Sequence, residues 1–361
     1  MADLGARVDK LEEPELGDYL RHTPPLRDDR GAMFEVLNRN KRSIALDLKS
    51  EKGSNAFRRL VLSYDVLVEG FRPGVMERLG LGHQRLAKET PRLIYCSISG
   101  YGQTGTDRLR SGHDLNYIAR SGVLGYGGPA EGPPALPGVQ IADVAGSLLA
   151  VVGILSAVHE RGRTGRGRYV DVALADSSLA FLHASLGEQL LLGKDAAPFL
   201  RGRGRLNGGF ACYNIYRTAD GRYLSVGALE PKFFGALCQR LNRLDLLDRA
   251  DGSPDGEKQV KNALADIFLQ KPLSEWLSQL SDPDLCVEPV LEDQEVLNGP
   301  LLKARGLLMQ LEEGNGRSST HLRTPLPIGR RPPTPAPALG EHGVEILREA
   351  GFSAEEIDQI L

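Results

Sequence analysis

Short β-rich runs alternate with helical patterns along residues 43–174, and this alternation restricts the fold more than any other feature of the chain. The runs fall at four places and are separated by segments long enough for helices: 43–48, 66–71, 93–99 and 169–174. Such alternation is typical of βαβ units, in which helices cover both faces of a mostly parallel sheet. We therefore predict a Rossmann-like, doubly wound α/β domain that binds ligands at the carboxyl ends of its strands.

The pattern changes after about residue 187. A glycine- and arginine-rich stretch at 201–209 leads to a Thr-Ala-Asp-Gly turn and a further strand at 223–228. Because single hydrophobic cores stop growing near about 250 to 300 residues, a chain of 361 residues should form two domains. The predicted segments are a large domain, a linker, a small α+β domain, and a return segment with C-terminal helices that pack on the large domain: 1–187, 188–209, 210–300 and 301–361.

The C-terminal part of the chain carries two local signals. Residues 325–337 are rich in proline and predict an extended return segment. The last helix has a clear start, because Ser353 and Glu356 can form a capping box, with Phe352 and Ile357 as a hydrophobic staple. We therefore expect a folded C-terminus.

Charge and cysteine usage exclude several classes of protein. The formal net charge is only −3, with 25% charged residues. The chain therefore has no strong overall electrostatic field that would favour binding to nucleic acid or to a membrane surface. We expect no apolar run to approach the roughly 20 residues that span a bilayer, since 148–158 is short and contains small residues. No secretory segment precedes the first residues, so a cytoplasmic protein acting on a small molecule is expected. The cysteines lack metal-type spacing: Cys96, Cys212, Cys238 and Cys286.

His113 stands in a Gly-His-Asp-Leu-Asn-Tyr stretch, directly after Gly112. It begins a predicted helix that ends near Gly122. Active sites of α/β proteins gather at such element boundaries, and histidine exchanges protons near neutral pH. His113 is therefore a candidate catalytic residue, with a surface or capping histidine as the alternative.

Asp143 precedes an almost wholly apolar helical stretch, 144–158, and is a candidate N-cap at the positive end of that helix. The helix dipole stabilises a carboxylate there, whereas apolar surroundings raise its pKa, so the group could be poised for either protonation state. Capping alone would also explain the residue. A histidine and a carboxylate on opposite sides of one carbon can act as base and acid, as the inversion of a stereocentre requires.

Other charged residues could assist this pair. Glu230 follows the strand at 223–228 and could fix the tautomer of a histidine, although a solvated loop glutamate is the default interpretation. Arg72 ends a predicted strand and is the best candidate to hold an anionic cofactor. The other basic candidates are Lys41, Arg42, Arg161, Arg163, Arg166 and Arg168. Residues 100–105 lack the dinucleotide-binding spacing, so no nicotinamide cofactor is predicted.

These residues and their surroundings resemble the family III CoA-transferases (CaiB/BaiF), and within them the α-methylacyl-CoA racemase branch. The resemblance covers nearly the whole chain, in the ordered segments 40–49, 69–81, 112–117, 142–143, 163–171, 216–231 and 340–361. It implies an interlocked homodimer and no required metal or redox cofactor, since coenzyme A is part of the substrate. The residues that it implies as CoA contacts are Leu46, Asp47, Leu48, Lys49, Arg72, Gly112, Asp114, Leu115, Asn116 and Tyr117.

The choice of branch depends on few residues. Transferases of this family use an aspartate matching Asp143 as a nucleophile, and usually carry an aromatic residue where this chain has His113. The racemases have histidine at that position, with a glutamate like Glu230 beside it. The resemblance therefore implies that His113 and Asp143 move the α-proton of a 2-methylacyl-CoA thioester through an enolate. Apolar pocket residues tolerate many chain shapes, so the acyl group stays open.

Two departures from the family pattern keep other functions open. Family members begin with a further strand, loop and helix before the segment matching 2–5, and this sequence lacks that element. Either the start codon is assigned too late or the fold has lost a central strand, and the loss of that strand would leave neighbouring backbone unpaired. Glu13 stands where the racemases have an arginine that contacts CoA, and a carboxylate cannot bind phosphate. The alternatives are a CoA-transferase between carboxylic acids, with Asp143 as the nucleophile that forms an acyl anhydride, and an inactive binding or scaffold protein.

Overall fold

The computed structural model describes residues 1–196, 199–314, 316–328 and 332–361. The chain divides into two compact units, each built from separated stretches. Unit 1 comprises 1–111, 145–174 and 297–361, and unit 2 comprises 112–144 and 175–296. The segment boundaries predicted at 187, 209 and 300 remain predictions. Residues 197–198 of the predicted linker and 329–331 of the proline-rich return lie outside the described residues.

The described part of the chain forms the following strands and helices. The strands are β1 (Asp9–Glu12), β2 (Leu26–Arg27), β3 (Arg30–Gly31), β4 (Arg42–Ala45), β5 (Val66–Glu69), β6 (Ile94–Ser99), β7 (Tyr169–Ala173), β8 (Tyr213–Arg217), β9 (Tyr223–Gly227), β10 (Val287–Pro289), β11 (Leu308–Gly314) and β12 (Arg317–Leu322). The helices are α1 (Ala32–Asn38), α2 (Glu51–Val61), α3 (Val75–Arg78), α4 (His83–Glu89), α5 (Asp114–Arg120), α6 (Ile141–Thr164), α7 (Leu174–Ser178), α8 (His183–Leu192), α9 (Pro231–Arg240), α10 (Pro254–Phe268), α11 (Leu273–Gln279), α12 (Asp293–Asn298), α13 (Pro300–Ala304), α14 (Gly343–Glu349) and α15 (Ala354–Ile360).

Unit 1 contains two parallel sheets. β1 pairs with β4, and β6 lies between β5 and β7 so that Glu69, Ser97 and Asp171 are side by side. The four strands predicted from the alternation are all present, and a mixed α/β fold with parallel sheets is confirmed. Within the described residues, β4 pairs only with β1 and β5 only with β6. One continuous, doubly wound sheet therefore stays a prediction.

Helices cover both faces of the sheet formed by β5, β6 and β7. On one face Cys96 of β6 packs with Ala150 and Ile154 of α6. On the other face Tyr95 packs with Phe57 of α2 and with residues of the α3–α4 region. Neighbouring residues of β6 face opposite sides because side chains alternate along a strand. This alternation explains why β6 is buried almost throughout.

Unit 2 contains an antiparallel sheet with β9 between β8 and β10. Helices α9, α10 and α11 pack on this sheet around an apolar core that includes Leu237, Phe268 and Trp276. The indole Nε1–H of Trp276 donates to the backbone oxygen of Phe268 at 2.8 Å, so its polar group is satisfied inside the core.

The predicted start of the last helix is confirmed. Ser353 Oγ accepts a hydrogen bond from the N–H of Glu356 at 3.2 Å, and Glu356 Oε2 accepts one from the N–H of Ser353 at 2.7 Å. Phe352 and Ile357 are both buried and pack against α2 through Leu60. The capping box and the staple thus fix α15 to unit 1.

A buried ion pair connects distant parts of unit 1. The Arg21 guanidinium donates two hydrogen bonds to the Glu12 carboxylate, at 3.1 and 2.6 Å, and one to the backbone oxygen of Pro337 at 3.0 Å. Ser43 Oγ also donates to Glu12, at 2.8 Å, and accepts from the N–H of Gly340 at 3.0 Å. The network therefore holds the C-terminal return segment against β1 and β4.

Helix α6 corrects one expectation from the sequence. It spans 24 residues, and its most apolar 18-residue stretch has a mean hydropathy of 2.1, so it is long and apolar enough to cross a bilayer by length and composition alone. The expectation that no apolar run approaches this length was wrong. Small residues were taken to limit the apolar run, whereas the helix includes these small residues. The core helix of a soluble protein passes the same test, and a third of the most apolar stretch of α6 is buried in this chain.

Gly167 lies where the chain approaches β6 too closely for a side chain. A Cβ added there would lie 1.9 Å from the backbone oxygen of Leu93. Gly167→Ala should therefore lower the thermal unfolding midpoint, with a cost of about 2–3 kcal/mol typical of overpacking that moves backbone.

Gly162 provides the matched control, because a Cβ added to it in α6 meets nothing within 4 Å. Gly162→Ala should leave the midpoint unchanged or raise it slightly, since alanine favours a helix by roughly 0.5–1 kcal/mol over glycine. Equal midpoints for the two variants would contradict the close approach at Gly167.

Candidate active site

His113 is the N-cap of α5, so the predicted position of this histidine at a helix boundary is observed. Asn116 Oδ1 accepts a hydrogen bond from the His113 N–H at 3.1 Å. The Tyr117 hydroxyl donates to the backbone oxygen of Gly112. These bonds fix the backbone on both sides of His113, while its side chain is exposed and accessible to a substrate.

Asp143 is not the N-cap of α6. The helix begins at Ile141, and the Gln140 carbonyl accepts from the N–H of Val144 at 3.2 Å, which places Asp143 inside the first turn. The sequence-based assignment was wrong because Ile141 and Ala142 extend the helix before the apolar run at Val144. The Asp143 side chain still projects from the N-terminal turn, where a helix dipole favours negative charge.

Asp114 supplies the acceptor that the start of α6 needs. Its Oδ1 accepts hydrogen bonds from the N–H groups of Ala142, at 2.6 Å, and Asp143, at 3.0 Å. Donors at a helix start otherwise lack partners within the helix. The backbone N–H groups at Ala142 and Asp143 are thus already used, and they are not free to donate to an enolate.

The electrostatic surroundings favour the protonated form of Asp143. Partial burial raises the pKa of the Asp143 carboxyl, the negative charge of Asp114 raises it further, and the nearby His113 opposes the rise. Since Asp143 is largely exposed in the single chain, the desolvation is incomplete. The structure thus brings His113, Asp114 and Asp143 within electrostatic reach of one another.

Glu230 lies at the start of a third helix. It is the N-cap of α9, directly after β9, and its side chain is exposed. Among the hydrogen bonds of the described residues, none joins Glu230 to His113. Its role as the partner of the histidine therefore stays a prediction.

The predicted CoA contacts of unit 1 follow the carboxyl ends of β4 and β5. Leu46 is buried in the core and Leu48 is partly buried, whereas Asp47 and Lys49 are exposed. Arg72 is exposed and hydrogen-bonds Ser111 Oγ. Only the exposed side chains of this set can reach a bound molecule without rearrangement.

The predicted CoA contacts of unit 2 also differ in how exposed their side chains are. Leu115 and Asn116 are exposed, and Tyr117 is buried. Asp114 is half-buried and is occupied by the start of α6. A contact with CoA through the Asp114 carboxylate would compete with these hydrogen bonds.

Glu13 has a local structural role. Its exposed carboxylate accepts hydrogen bonds from the N–H groups of Glu15, Leu16 and Gly17, at 3.1, 2.5 and 3.0 Å. These bonds lower the pKa of Glu13 and stabilise the turn after β1. An arginine at this position could not accept these hydrogen bonds. The glutamate that departs from the family pattern therefore stabilises a turn that an arginine could not cap.

Several other basic candidates are engaged in ion pairs. Arg42 contacts Asp9 and Glu349, at 2.8 and 2.9 Å, which raises the pKa of its guanidinium. Arg161 contacts Asp65 at 2.9 Å, and Arg168 pairs with Glu160. These guanidinium groups already pair with carboxylates, so they are poorer candidates for phosphate binding than Lys49 and Arg72.

A cavity of about 640 Å³ in unit 1 was not anticipated from the sequence. Its polar lining residues come from three separated stretches of the chain: Glu77, His83, Gln84, Arg85, Gln103, Arg108 and Tyr169. The rings of His83 and Tyr169 stack with their centroids 4.5 Å apart. Burial lowers the pKa of His83, with Glu77 opposing. The spacing of residues along the sequence could not have predicted that these side chains line one cavity.

Comparisons with known proteins agree on one family. The pattern of CoA-transferase family III matches residues 1–343. Human α-methylacyl-CoA racemase is 39% identical over 368 residues, which cover 100% of this chain and 90% of that protein. Mouse succinyl-CoA:glutarate CoA-transferase is 32% identical and covers 97% of this chain and 81% of its own length. The crystal structure of a CaiB/BaiF family protein from Brucella suis superposes with a TM-score of 0.81 at 30% identity, covering 96% of this chain and 93% of that one.

Proposed function

The chain belongs to CoA-transferase family III, and on that premise we propose that it racemises 2-methylacyl-CoA thioesters. The observation that carries the proposal is the grouping of His113 with Asp143 at the starts of two helices joined by Asp114. The 39% identity to α-methylacyl-CoA racemase supports the same activity. No cofactor besides the CoA of the substrate takes part in this proposal.

The chemistry requires one proton to leave the α-carbon and another to arrive on the opposite face. A thioester makes its α-hydrogen acidic enough for a histidine or a carboxylate to remove, provided that donors meet the enolate oxygen. In one direction His113 takes the proton and protonated Asp143 supplies another. In the reverse direction the two residues exchange roles.

Donors for the enolate oxygen would come from the start of α5. Within the described residues, no acceptor binds the N–H groups of Asp114 and Leu115, which directly follow His113. The corresponding groups at the start of α6 are bonded to the Asp114 carboxylate. The start of α5 is therefore the better source of donors for the enolate oxygen.

A CoA-transferase is the second candidate function. Relatives such as succinyl-CoA:glutarate CoA-transferase are 32% identical over nearly the whole chain. In that reaction Asp143 would attack the acyl-CoA as a nucleophile, form an acyl anhydride and release CoA as its thiolate. His113 would then have no proton to move.

Isotope exchange decides between the two activities. A single 2-methylacyl-CoA epimer in deuterated water should gain α-deuterium and convert to a mixture of epimers. Hydroxylamine with acyl-CoA should modify Asp143 only in a transferase. A folded protein that binds CoA, yet shows neither deuterium incorporation nor epimer mixing, would contradict the racemase proposal, and failure to bind CoA would support the scaffold alternative.

We also propose that two copies of the chain form the homodimer, interlocked as the family resemblance implies. In unit 1, Leu148, Val152 and Leu155 line one side of α6 and are 62, 56 and 50% exposed. In unit 2, Leu190 and Leu191 of α8 are 84 and 86% exposed. Contiguous apolar patches of this kind mark interaction surfaces.

Charged residues on the α6 stripe should weaken the dimer. The double variant Leu148→Glu, Val152→Glu should shift the protein toward monomer in sedimentation velocity, because two carboxylates would have to be desolvated at the interface. Asn262→Glu, at an exposed position of α10 and not on the α6 stripe, is the control. An unchanged dimer in the double variant would show that the stripe is not the interface.

A further inference from the structure

Asp114 connects the two candidate acid/base residues. It follows His113 directly as the first residue of α5. Its Oδ1 accepts hydrogen bonds from the N–H groups of Ala142, at 2.6 Å, and Asp143, at 3.0 Å. One carboxylate oxygen therefore joins the start of α5 to the start of α6, across 29 positions of the chain.

We propose that Asp114 is a positioning residue that holds Asp143 opposite His113 and places a second negative charge beside it. This proposal rests on the acid/base roles proposed above for His113 and Asp143. It gives Asp114 a function other than the CoA contact implied by the family resemblance.

The hydrogen bonds explain the positioning. Both N–H groups belong to the first turn of α6, and bonds to an ionised acceptor are stronger than those between neutral groups. Rotation of this turn would break the bonds and move the Asp143 side chain. A misplacement of about 1 Å at a reacting group can cost on the order of 10²-fold in rate. Asp114 is half-buried, which limits competition from water for its Oδ1.

The charge of Asp114 has a separate effect. Burial raises the pKa of Asp143, the like charge of Asp114 adds to the rise, and His113 lowers it. These are the groups of α5 that face Asp143, and its neighbours Ile141, Ala142 and Val144 on α6 carry no charge. A raised pKa increases the fraction of enzyme in which Asp143 holds the proton that it must donate.

Two substitutions separate position from charge. Asp114→Asn keeps an oxygen that can accept both N–H groups but removes the charge, whereas Asp114→Ala removes both. We expect kcat for racemisation to fall about 10²-fold in Asp114→Ala and less in Asp114→Asn. The KM for the acyl-CoA should change little in either. A raised KM with unchanged kcat would overturn the proposal in favour of a CoA contact.

The pH dependence reports the charge. Removal of the Asp114 charge lowers the pKa of Asp143, so the acidic limb of kcat/KM against pH should move to lower pH in Asp114→Asn. Asp266→Asn, which removes an exposed charge from α10 of the same unit, should leave the limb in place. An unmoved limb in Asp114→Asn would overturn the electrostatic part of the proposal.

A titration without substrate tests Asp114 independently of the reaction. The carboxyl carbon of Asp143, assigned with Asp143→Asn in the labelled full-length protein, should titrate at lower pH in Asp114→Asn than in the unchanged chain. Equal titration in the two proteins would overturn the electrostatic part of the proposal. Wild-type protein that fails to racemise any 2-methylacyl-CoA would refute the proposed function, while the carbon titration would still decide whether Asp114 acts on Asp143.

Discussion

His113→Asn should strongly slow epimer mixing while leaving one half of the proton chemistry intact. Asparagine neither takes up nor releases a proton near neutral pH, so nothing on that face of the substrate can remove the α-proton. We expect kcat/KM for racemisation to fall about 10²- to 10⁴-fold, the usual contribution of a general acid or base. Chiral chromatography of the recovered acyl group measures this fall.

The same variant should still exchange hydrogen with solvent for one epimer. Asp143 remains able to remove the α-proton that faces it, exchange that proton with deuterated water, and return deuterium to the same face. Mass spectrometry should therefore find deuterium in one epimer without inversion, and none in the other. Exchange in one epimer without inversion would show that two opposed groups act on the substrate, each on one face of the α-carbon.

Asp143→Asn is the matched variant and should give the mirror result, with exchange confined to the opposite epimer. Circular dichroism and CoA binding establish that both variants are folded. Full racemisation in His113→Asn would remove His113 from the reaction. Loss of exchange with both epimers in both folded variants would contradict the assignment of two bases.

His113→Asn also separates the two candidate activities. A transferase depends on Asp143 as the nucleophile, so hydroxylamine trapping at Asp143 would persist in His113→Asn and disappear in Asp143→Asn. A racemase forms no acyl anhydride, and neither protein would be modified. His113 is thus the residue whose replacement distinguishes the two branches of the family.

Features that depend on neighbours in sequence could be predicted. The capping box of Ser353 with Glu356 and the strands β5, β6 and β7 rest on residues a few positions apart, and the structure contains them. The position of His113 before α5 follows from the same kind of local signal.

Features that depend on tertiary contact could not be predicted. Asp143 was assigned as a cap because it precedes an apolar run, yet the carboxylate that binds the first turn of α6 belongs to Asp114, 29 positions earlier. Sequence spacing does not show which of several acidic residues will reach a helix start. The sequence could not predict the partners of Glu230 either, because these partners depend on how separated stretches of the chain assemble.

The buried pair of Glu12 with Arg21 is a second feature that the sequence concealed. Residues 9–12 read Asp-Lys-Leu-Glu, which is typical of an exposed strand. The side chains of Glu12 and Arg21 are nevertheless only 2 and 10% exposed. Arg21 also lies over the ring of Phe34, 3.9 Å from its centroid, so its guanidinium is enclosed on several sides.

Arg21→Met should lower the free energy of unfolding by about 3–5 kcal/mol, because it leaves the buried Glu12 carboxylate without its opposite charge. The loss should appear first in β1 and β4, where Glu12 and Ser43 lie. Urea unfolding followed by circular dichroism measures the overall cost. Hydrogen exchange of peptides that span β4 and Leu46 measures the local cost, since the N–H of Leu46 donates to the backbone oxygen of Glu12 at 2.9 Å.

A double-mutant cycle isolates the pair from the surrounding packing. Glu12→Met combined with Arg21→Met leaves no unpaired charge in the core, so the double variant should be more stable than Arg21→Met alone. Arg317→Met provides the control, because Arg317 and Asp28 form a pair that is 54 and 60% exposed, and such pairs contribute about 0–1 kcal/mol. If the costs of the two single substitutions simply add in the double variant, Glu12 and Arg21 do not stabilise unit 1 as a pair, and the hydrogen bond from Arg21 to Pro337 would be the contact that holds the return segment.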